Sequence, residues 1–157
     1  MTGMGWVFAG ILMICCAGVQ AQQTVNWPAY GGAAGGGHYS GAGQIDTGNV
    51  TKLEHAWTHR SGDYRAGVQN LTEEVSMDSL GRRPTSFLAT PIVAEDTLYY
   101  CTPFNRVFAL DPATGDERWV YDPGVDMGKE LISNCRGVSS WTDAQSSDQI
   151  CRHRIVL

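Results

Sequence analysis

The stretch that limits the fold most is Thr90 to Asp122, where four short runs of strand-forming residues follow one another with only tight turns between them. Pro91–Ala94 is apolar and is closed by the polar pair Glu95-Asp96. Thr97–Cys101 is rich in β-branched and aromatic side chains and runs into Thr102-Pro103-Phe104-Asn105, a turn composition. Arg106–Leu110 follows, then Asp111-Pro112-Ala113-Thr114-Gly115 with Pro and Gly where turns use them, and last Glu117–Tyr121. Parallel strands need a crossover of about a dozen residues or more, and connections this short leave no room for one. The stretch therefore predicts a four-stranded antiparallel meander, the unit of a β-propeller blade, in an all-β chain.

The wording of this meander is specific. Ala109, Asp111, Gly115 and Trp119 fall in the pattern A-x-D-x-x-T-G-x-x-x-W. Gly115 can take the positive φ that a tight turn demands. The Asp111 carboxylate can accept bonds from backbone amides of the same turn. Trp119 is a large apolar plate suited to packing between adjacent blades, with an indole N–H that needs a partner. An ordinary hairpin in any all-β protein is the plainer reading of the same residues. The pattern resembles the tryptophan-docking motif of quinoprotein dehydrogenases, which use pyrroloquinoline quinone (PQQ).

A second match lies upstream. Asn26 to Ser40 is Gly-dense but carries Trp27 and Tyr30, which give it something to bury. Gln44–Leu53 can form a short helical turn with Thr47 as a possible N-cap, and Leu53–Thr58 reads as a strand. The order W-P-x-Y-G, Y-S, Q-I, N-V-x-K-L, A-W resembles the lead-in segment of the same family. A third match is Asn134 to Trp141, NCRGVSSW. PQQ is a planar o-quinone with carboxylates, and the guanidinium fork of arginine suits a carboxylate. C-R-G-V-S resembles the segment of glucose/quinate-type membrane dehydrogenases whose arginine holds a PQQ carboxylate, which implies Arg136 here. A-W-x-x-R-[ST]-G-D in that family also places an arginine at the cofactor, which implies Arg60. The ordinary fate of either arginine is a surface ion pair.

Some positions depart from the family. Leu88 stands where the family often has Glu, and Ile132 where glucose-type enzymes have His, which speaks against a glucose substrate. The adjacent cysteines that stack on PQQ in the alcohol dehydrogenase branch have no mature counterpart, because Cys15-Cys16 lies in a predicted signal peptide. That peptide spans residues 1–21. Gly5–Val19 is apolar and Val19-Gln20-Ala21 offers small residues at a cleavage site, although no basic residue precedes the apolar run. An uncleaved anchor is the alternative. Residues 22–157 form the mature part, expected to be exported to the periplasm, with membrane association as a further option.

The formal net charge of −5 argues against nucleic acid and against an anionic membrane surface as partners. His55 and His59 are read as surface residues without metal-ligand spacing. Of Cys101, Cys135 and Cys151, the pair Cys135–Cys151 flanks a polar loop from Trp141 to Gln149 and is the expected disulfide; closing it would stabilise by roughly 3 kcal/mol. Cys101 is expected as a buried free thiol, though the sequence alone leaves all three pairings open. Ser61 to Ser86 is polar and is expected to be a long surface loop.

The resemblance implies an eight-bladed propeller of several hundred residues. The chain is thus expected to be its N-terminal portion: a lead-in segment, one full blade and the first strand of the next at Arg152–Leu157. It implies PQQ and Ca²⁺ as cofactors, with the catalytic base and most calcium ligands outside this sequence. The substrate class is an alcohol, sugar or polyol, and the electron acceptor a ubiquinone or cytochrome. A chain of this extent would be inactive alone. A non-catalytic propeller built on the same repeats is the competing function; it would not need C-R-G-V.

Overall fold

A computed structural model describes residues 25–33, 35–64, 85–126, 134–147 and 150–157. The predicted signal peptide and most of the polar stretch 61–86 lie outside these residues. Strands β1 (Ile92–Ala94), β2 (Thr97–Cys101), β3 (Val107–Leu110) and β4 (Glu117–Tyr121) form one sheet in chain order, each pair antiparallel. The predicted meander is present, with the first and third strands each starting one residue later than expected. Strands β5 (Ser139–Thr142) and β6 (His153–Val156) form a separate antiparallel hairpin. Part of the expected polar loop at Trp141 is therefore strand, and the predicted strand near the C-terminus finds its partner in β5.

The turns explain why the strands fold back where they do. Ala94 pairs with Thr97, so Glu95 and Asp96 alone make the first loop, both with positive φ of 47° and 55°. Two left-handed residues make a turn whose twist matches the flanking strands. In the second turn the buried Thr102 Oγ1 accepts from the backbone N–H of Phe104 and Arg106 at 3.2 and 3.3 Å. In the third, Asp111 Oδ1 accepts from the N–H of Ala113 and Thr114 at 2.9 and 3.2 Å, and Gly115 takes φ 77°. The register shifts between Ala109 and Leu110, a bulge that leaves Arg118 outside the pairing. Its guanidinium bonds the Thr97 hydroxyl at 2.6 Å and Asp111 Oδ2 at 2.8 Å.

Alternation along the strands gives the sheet two apolar faces. Ile92, Ala94, Tyr99, Cys101, Val107 and Ala109 fill one and pack with Cys135 and Val138, with Ile155 of β6 against the same cluster. Tyr100, Phe108 and Leu110 fill the other, covered by Trp57 of the lead-in segment. The blade is thus sandwiched between chain that precedes it and chain that follows it. Trp27 extends it at the β1 edge by exchanging two backbone hydrogen bonds with Val93, at 2.6 and 3.0 Å.

Three expectations need correction. The disulfide joins Cys101 to Cys135, with Cα atoms 6.0 Å apart, and Cys151 is free and exposed. The Cys135–Cys151 pairing weighed loop composition, but Cys101 ends β2 on the face that segment 134–138 crosses, and that meeting decides it. The lead-in holds one 3₁₀ turn, Val50–Lys52, capped at Asn49 and not at Thr47. Asp46 Oδ1 accepts from the N–H of Gly48 at 2.7 Å and Asn49 at 3.1 Å, so the aspartate closes the turn. Residues 53–58 form no strand, because no neighbouring backbone pairs with them in a ladder; they are held by side chains instead.

Candidate functional site

Arg136 owes its place to its neighbours. Cys135 and Val138 are buried on the blade face, whereas Arg136 is exposed. Thr90 N–H donates to the Arg136 carbonyl at 3.0 Å, and Thr90 and Gly137 form a parallel bridge. A Cβ at Gly137 would lie 3.4 Å from the Thr90 oxygen, so the two backbones run close. Arg136 lines an open cleft of about 700 Å³ whose walls include Tyr30, Leu88 and Val138, with the hydroxyl residues Thr90 and Ser139 beside it. Its side chain has no hydrogen bond or ion pair among the described residues. A cation without a protein partner, set in a groove with apolar walls, suits a flat carboxylated ligand. Leu88, the position where the family often carries Glu, is in this cleft.

Arg60 is exposed and does not line that cleft. The structure does not bring the two predicted arginines into one pocket. What it shows at Arg60 is a firmly held loop. Arg106 Nε donates to Asp63 Oδ2 at 2.9 Å, Nη2 to Asp63 Oδ1, and Nη2 also to the Ser61 carbonyl at 2.6 Å. The Asp63 side chain is only 5% exposed. The Asp63 carboxylate holds the Arg106 guanidinium charged, above its ordinary pKa. Sequence reasoning missed this clamp; Arg106 opening a strand gave no sign of a partner so far upstream.

His59 also differs from its sequence reading as a surface residue. Its side chain is 11% exposed. Nε2 meets Glu117 Oε1 at 2.7 Å and Nδ1 meets the Tyr100 hydroxyl at 2.5 Å. Burial first, then the negative charges of Glu117 and Asp63, pushes the Tyr100 phenol up to about 12. The spacing of Trp57 and His59 held the missed signal: alternate residues of an extended segment share a face, and this face lies on the blade. His55 is exposed as expected and bonds the Thr58 hydroxyl at 2.9 Å.

In the docking motif, the tryptophan seated on the turn is Trp57. Its indole N–H donates to the Pro112 carbonyl at 3.2 Å. A Cβ at Gly115 would come within 2.6 Å of its ring, so only glycine fits there. Ala109 is fully buried beneath, and Asp111, bonded by Arg118 and two turn amides, has its pKa lowered. Trp119, the motif's own tryptophan, is 43% exposed and packs on Tyr99 at 5.7 Å between ring centres.

Among the described residues, no group of three or more His, Cys, Asp or Glu is placed to hold a metal ion. Nor is any helix there long and apolar enough to cross a membrane.

Comparison with known proteins agrees with this geometry. Residues 27–157 match the family model "PQQ: Glucose/ethanol/alcohol dehydrogenase, beta-propeller domain". The chain is 39% identical over 117 residues to the quinoprotein glucose dehydrogenase of Escherichia coli (strain K12), covering 73% of this chain and 13% of that protein. It is 32% identical over 125 residues to the quinate/shikimate dehydrogenase (quinone) of Acinetobacter baylyi, covering 80% of this chain and 14% of that protein. Similarity to the quinohemoprotein alcohol dehydrogenase of Comamonas testosteroni is lower, 30% over 125 residues, covering 77% and 15%. The chain thus spans a small part of the length of each relative. With its blade, its docking turn and its C-R-G-V segment, the chain belongs to the β-propeller family of PQQ-dependent quinoprotein dehydrogenases, and within it resembles the glucose/quinate type.

Proposed function

We propose that this chain forms the lead-in and first blade of an exported PQQ-dependent dehydrogenase that oxidises an alcohol, sugar or polyol. The observation that carries the reading is exposed Arg136 in an open cleft, its side chain unpaired among the described residues, on the segment that resembles a cofactor-binding one. When bound, PQQ would supply an electrophilic carbonyl as the two-electron acceptor for oxidation of a substrate CH–OH group. This chain's own part is to hold and orient. Arg136 forms a charge-assisted pair with a cofactor carboxylate. Leu88, Val138 and Tyr30 provide apolar wall that keeps water from one side of the ring, and Thr90 and Ser139 carry hydroxyls within the same groove. Arg60 is proposed as a second anchor on the family resemblance alone. No residue of this chain is assigned as catalytic base.

Calcium is proposed on the family resemblance alone. Among the described residues no group of three or more His, Cys, Asp or Glu is placed to hold it. The proposed substrate class rests on relatives that include glucose, quinate/shikimate and glycerol dehydrogenases. Transfer of electrons to a quinone or a cytochrome is proposed from the same source, as is periplasmic location from the predicted signal peptide.

The test uses the full-length protein. PQQ is titrated against it, following tryptophan fluorescence, and dye reduction is assayed with alcohols, sugars and polyols. Arg136→Ala should weaken PQQ binding by about 10- to 100-fold, the scale of a lost hydrogen bond to a charged group. Unchanged affinity would remove Arg136 from the site. Neither PQQ binding nor dye reduction with any substrate class would favour the scaffold over the enzyme.

A further inference from the structure

Among the described residues, Arg136 is held by its backbone only. On its C-terminal side the attachments are the Thr90–Gly137 bridge and the buried Val138. On its N-terminal side the attachment is covalent: Cys135, the residue immediately before it, is bonded to Cys101 at the end of β2. Cys101 is fully buried in the middle of the blade's core cluster. β2 is held on both sides, by β1 and by β3. The bridge therefore transfers the rigidity of a central strand to Arg136, whose side chain has no tether among the described residues.

We infer that the Cys101–Cys135 bridge is a positioning device for Arg136, setting where its guanidinium stands in the cleft and so how tightly a carboxylated ligand is held there. This rests on the reading of Arg136 as the cofactor anchor. Cys101 and Cys135 are positioning residues: both sulfurs are consumed in their bond, Cys101 is fully buried, and neither cysteine is among the residues that form the cleft wall. A long, flexible side chain gives a well-defined charge position only when its Cα is fixed, because its own rotamers already spread the charge.

A double-mutant cycle on the full-length protein tests this, read as the equilibrium affinity for PQQ by fluorescence titration, without turnover. Cys101→Ser with Cys135→Ser should weaken PQQ binding about tenfold, within the range by which misplaced positioning groups act. In that background Arg136→Ala should add little further loss, because the arginine is already out of place. Losses that simply add would show that the bridge acts on general stability, and would overturn the inference. Full affinity in the serine pair would overturn it too, while leaving Arg136 in its role. No effect of Arg136→Ala in the native background would instead sink the reading of the site itself. Where the serines impair folding, Cys101→Ala with Cys135→Val keeps the interior apolar and is put through the same cycle. Cys151→Ser is the control and should bind PQQ normally; a loss there would indicate a different pairing and also overturn the assignment.

Discussion

Replacing Gly115 by alanine probes the docking turn at its tightest point. Two separate costs are expected. Gly115 sits at φ 77°, where an L-residue loses about 1–2 kcal/mol relative to glycine. The new methyl would also stand 2.6 Å from two ring atoms of Trp57, far inside contact distance. The backbone of a turn pinned by Asp111 cannot retreat, so the indole must move. That breaks its 3.2 Å bond to the Pro112 carbonyl, worth about 1 kcal/mol. It also lifts part of a half-buried aromatic plate from Leu110 and its neighbours, for about another 1 kcal/mol. The sum is about 3–4 kcal/mol. The assay is urea unfolding of Gly115→Ala, Trp57→Ala and the double variant. In the Trp57→Ala background the clash is gone, and Gly115→Ala should cost only the backbone share, about 1–2 kcal/mol. Equal costs in both backgrounds would refute the claim that glycine is needed here to admit tryptophan.

Tyr100 predicts an alkaline limit. Its folded pKa is raised above the ordinary 10.0 to about 12, so its contribution is fully present below pH 10 and fades as pH rises through 12. Unfolding measured across that window should show a slope that Tyr100→Phe reduces. Asp111 predicts the acid counterpart: its pKa is lowered, first by the Arg118 guanidinium and then by the turn amides. Its contribution is present above the usual carboxylate range and is lost as pH falls through the folded value, so Asp111→Asn should flatten the acid limb of a stability–pH curve. Arg106→Ala strands the buried Asp63 carboxylate and should cost about 3–5 kcal/mol in denaturant unfolding. Adding Asp63→Asn should recover part of that loss, and no recovery would mean that the clamp's value lies in the Ser61 contact.

Most of the blade was legible in the sequence because its information is local. Glu95-Asp96, the Thr102 turn and Asp111–Gly115 each close a hairpin within a few residues, and the strands between them are forced to pair with their neighbours. The motif positions Asp111 and Gly115 do the work their chemistry suggested. What sequence reasoning lost is long-range. Trp57, His59 and Arg106 find partners 55, 58 and 43 residues away in the chain, and nothing in their local pattern names those partners. The lead-in looked like a strand at 53–58 because its composition is extended, yet extended backbone becomes a strand only when another backbone pairs with it. The cysteine pairing failed for a related reason: the polar loop near Cys151 suggested a short closure, whereas the packing of segment 134–138 on the blade chose Cys101. At the candidate site, the motif pointed to Arg136, but its separation from Arg60 is a matter of tertiary placement.

The long reach of the Cys101–Cys135 bond has a consequence for how the protein matures. Chain closure favours near neighbours, so a nascent chain oxidised early will join Cys135 to Cys151 more readily than to Cys101, which lies 34 residues from Cys135. The meander needs only local pairings and forms sooner than the segment that must fold back over it. Correct bonding is then a matter of timing: β2 has to be in place before Cys135 arrives. A chain trapped in the shorter loop still has a way out, because the thiolate of Cys101 can attack that bond while the blade is open and release Cys151 as the leaving thiol. Cys151, exposed on a turn in the finished fold, is the sulfur this exchange leaves behind. Refolding of the Cys151→Ser variant should therefore proceed with fewer slow, misbonded species than that of the native sequence.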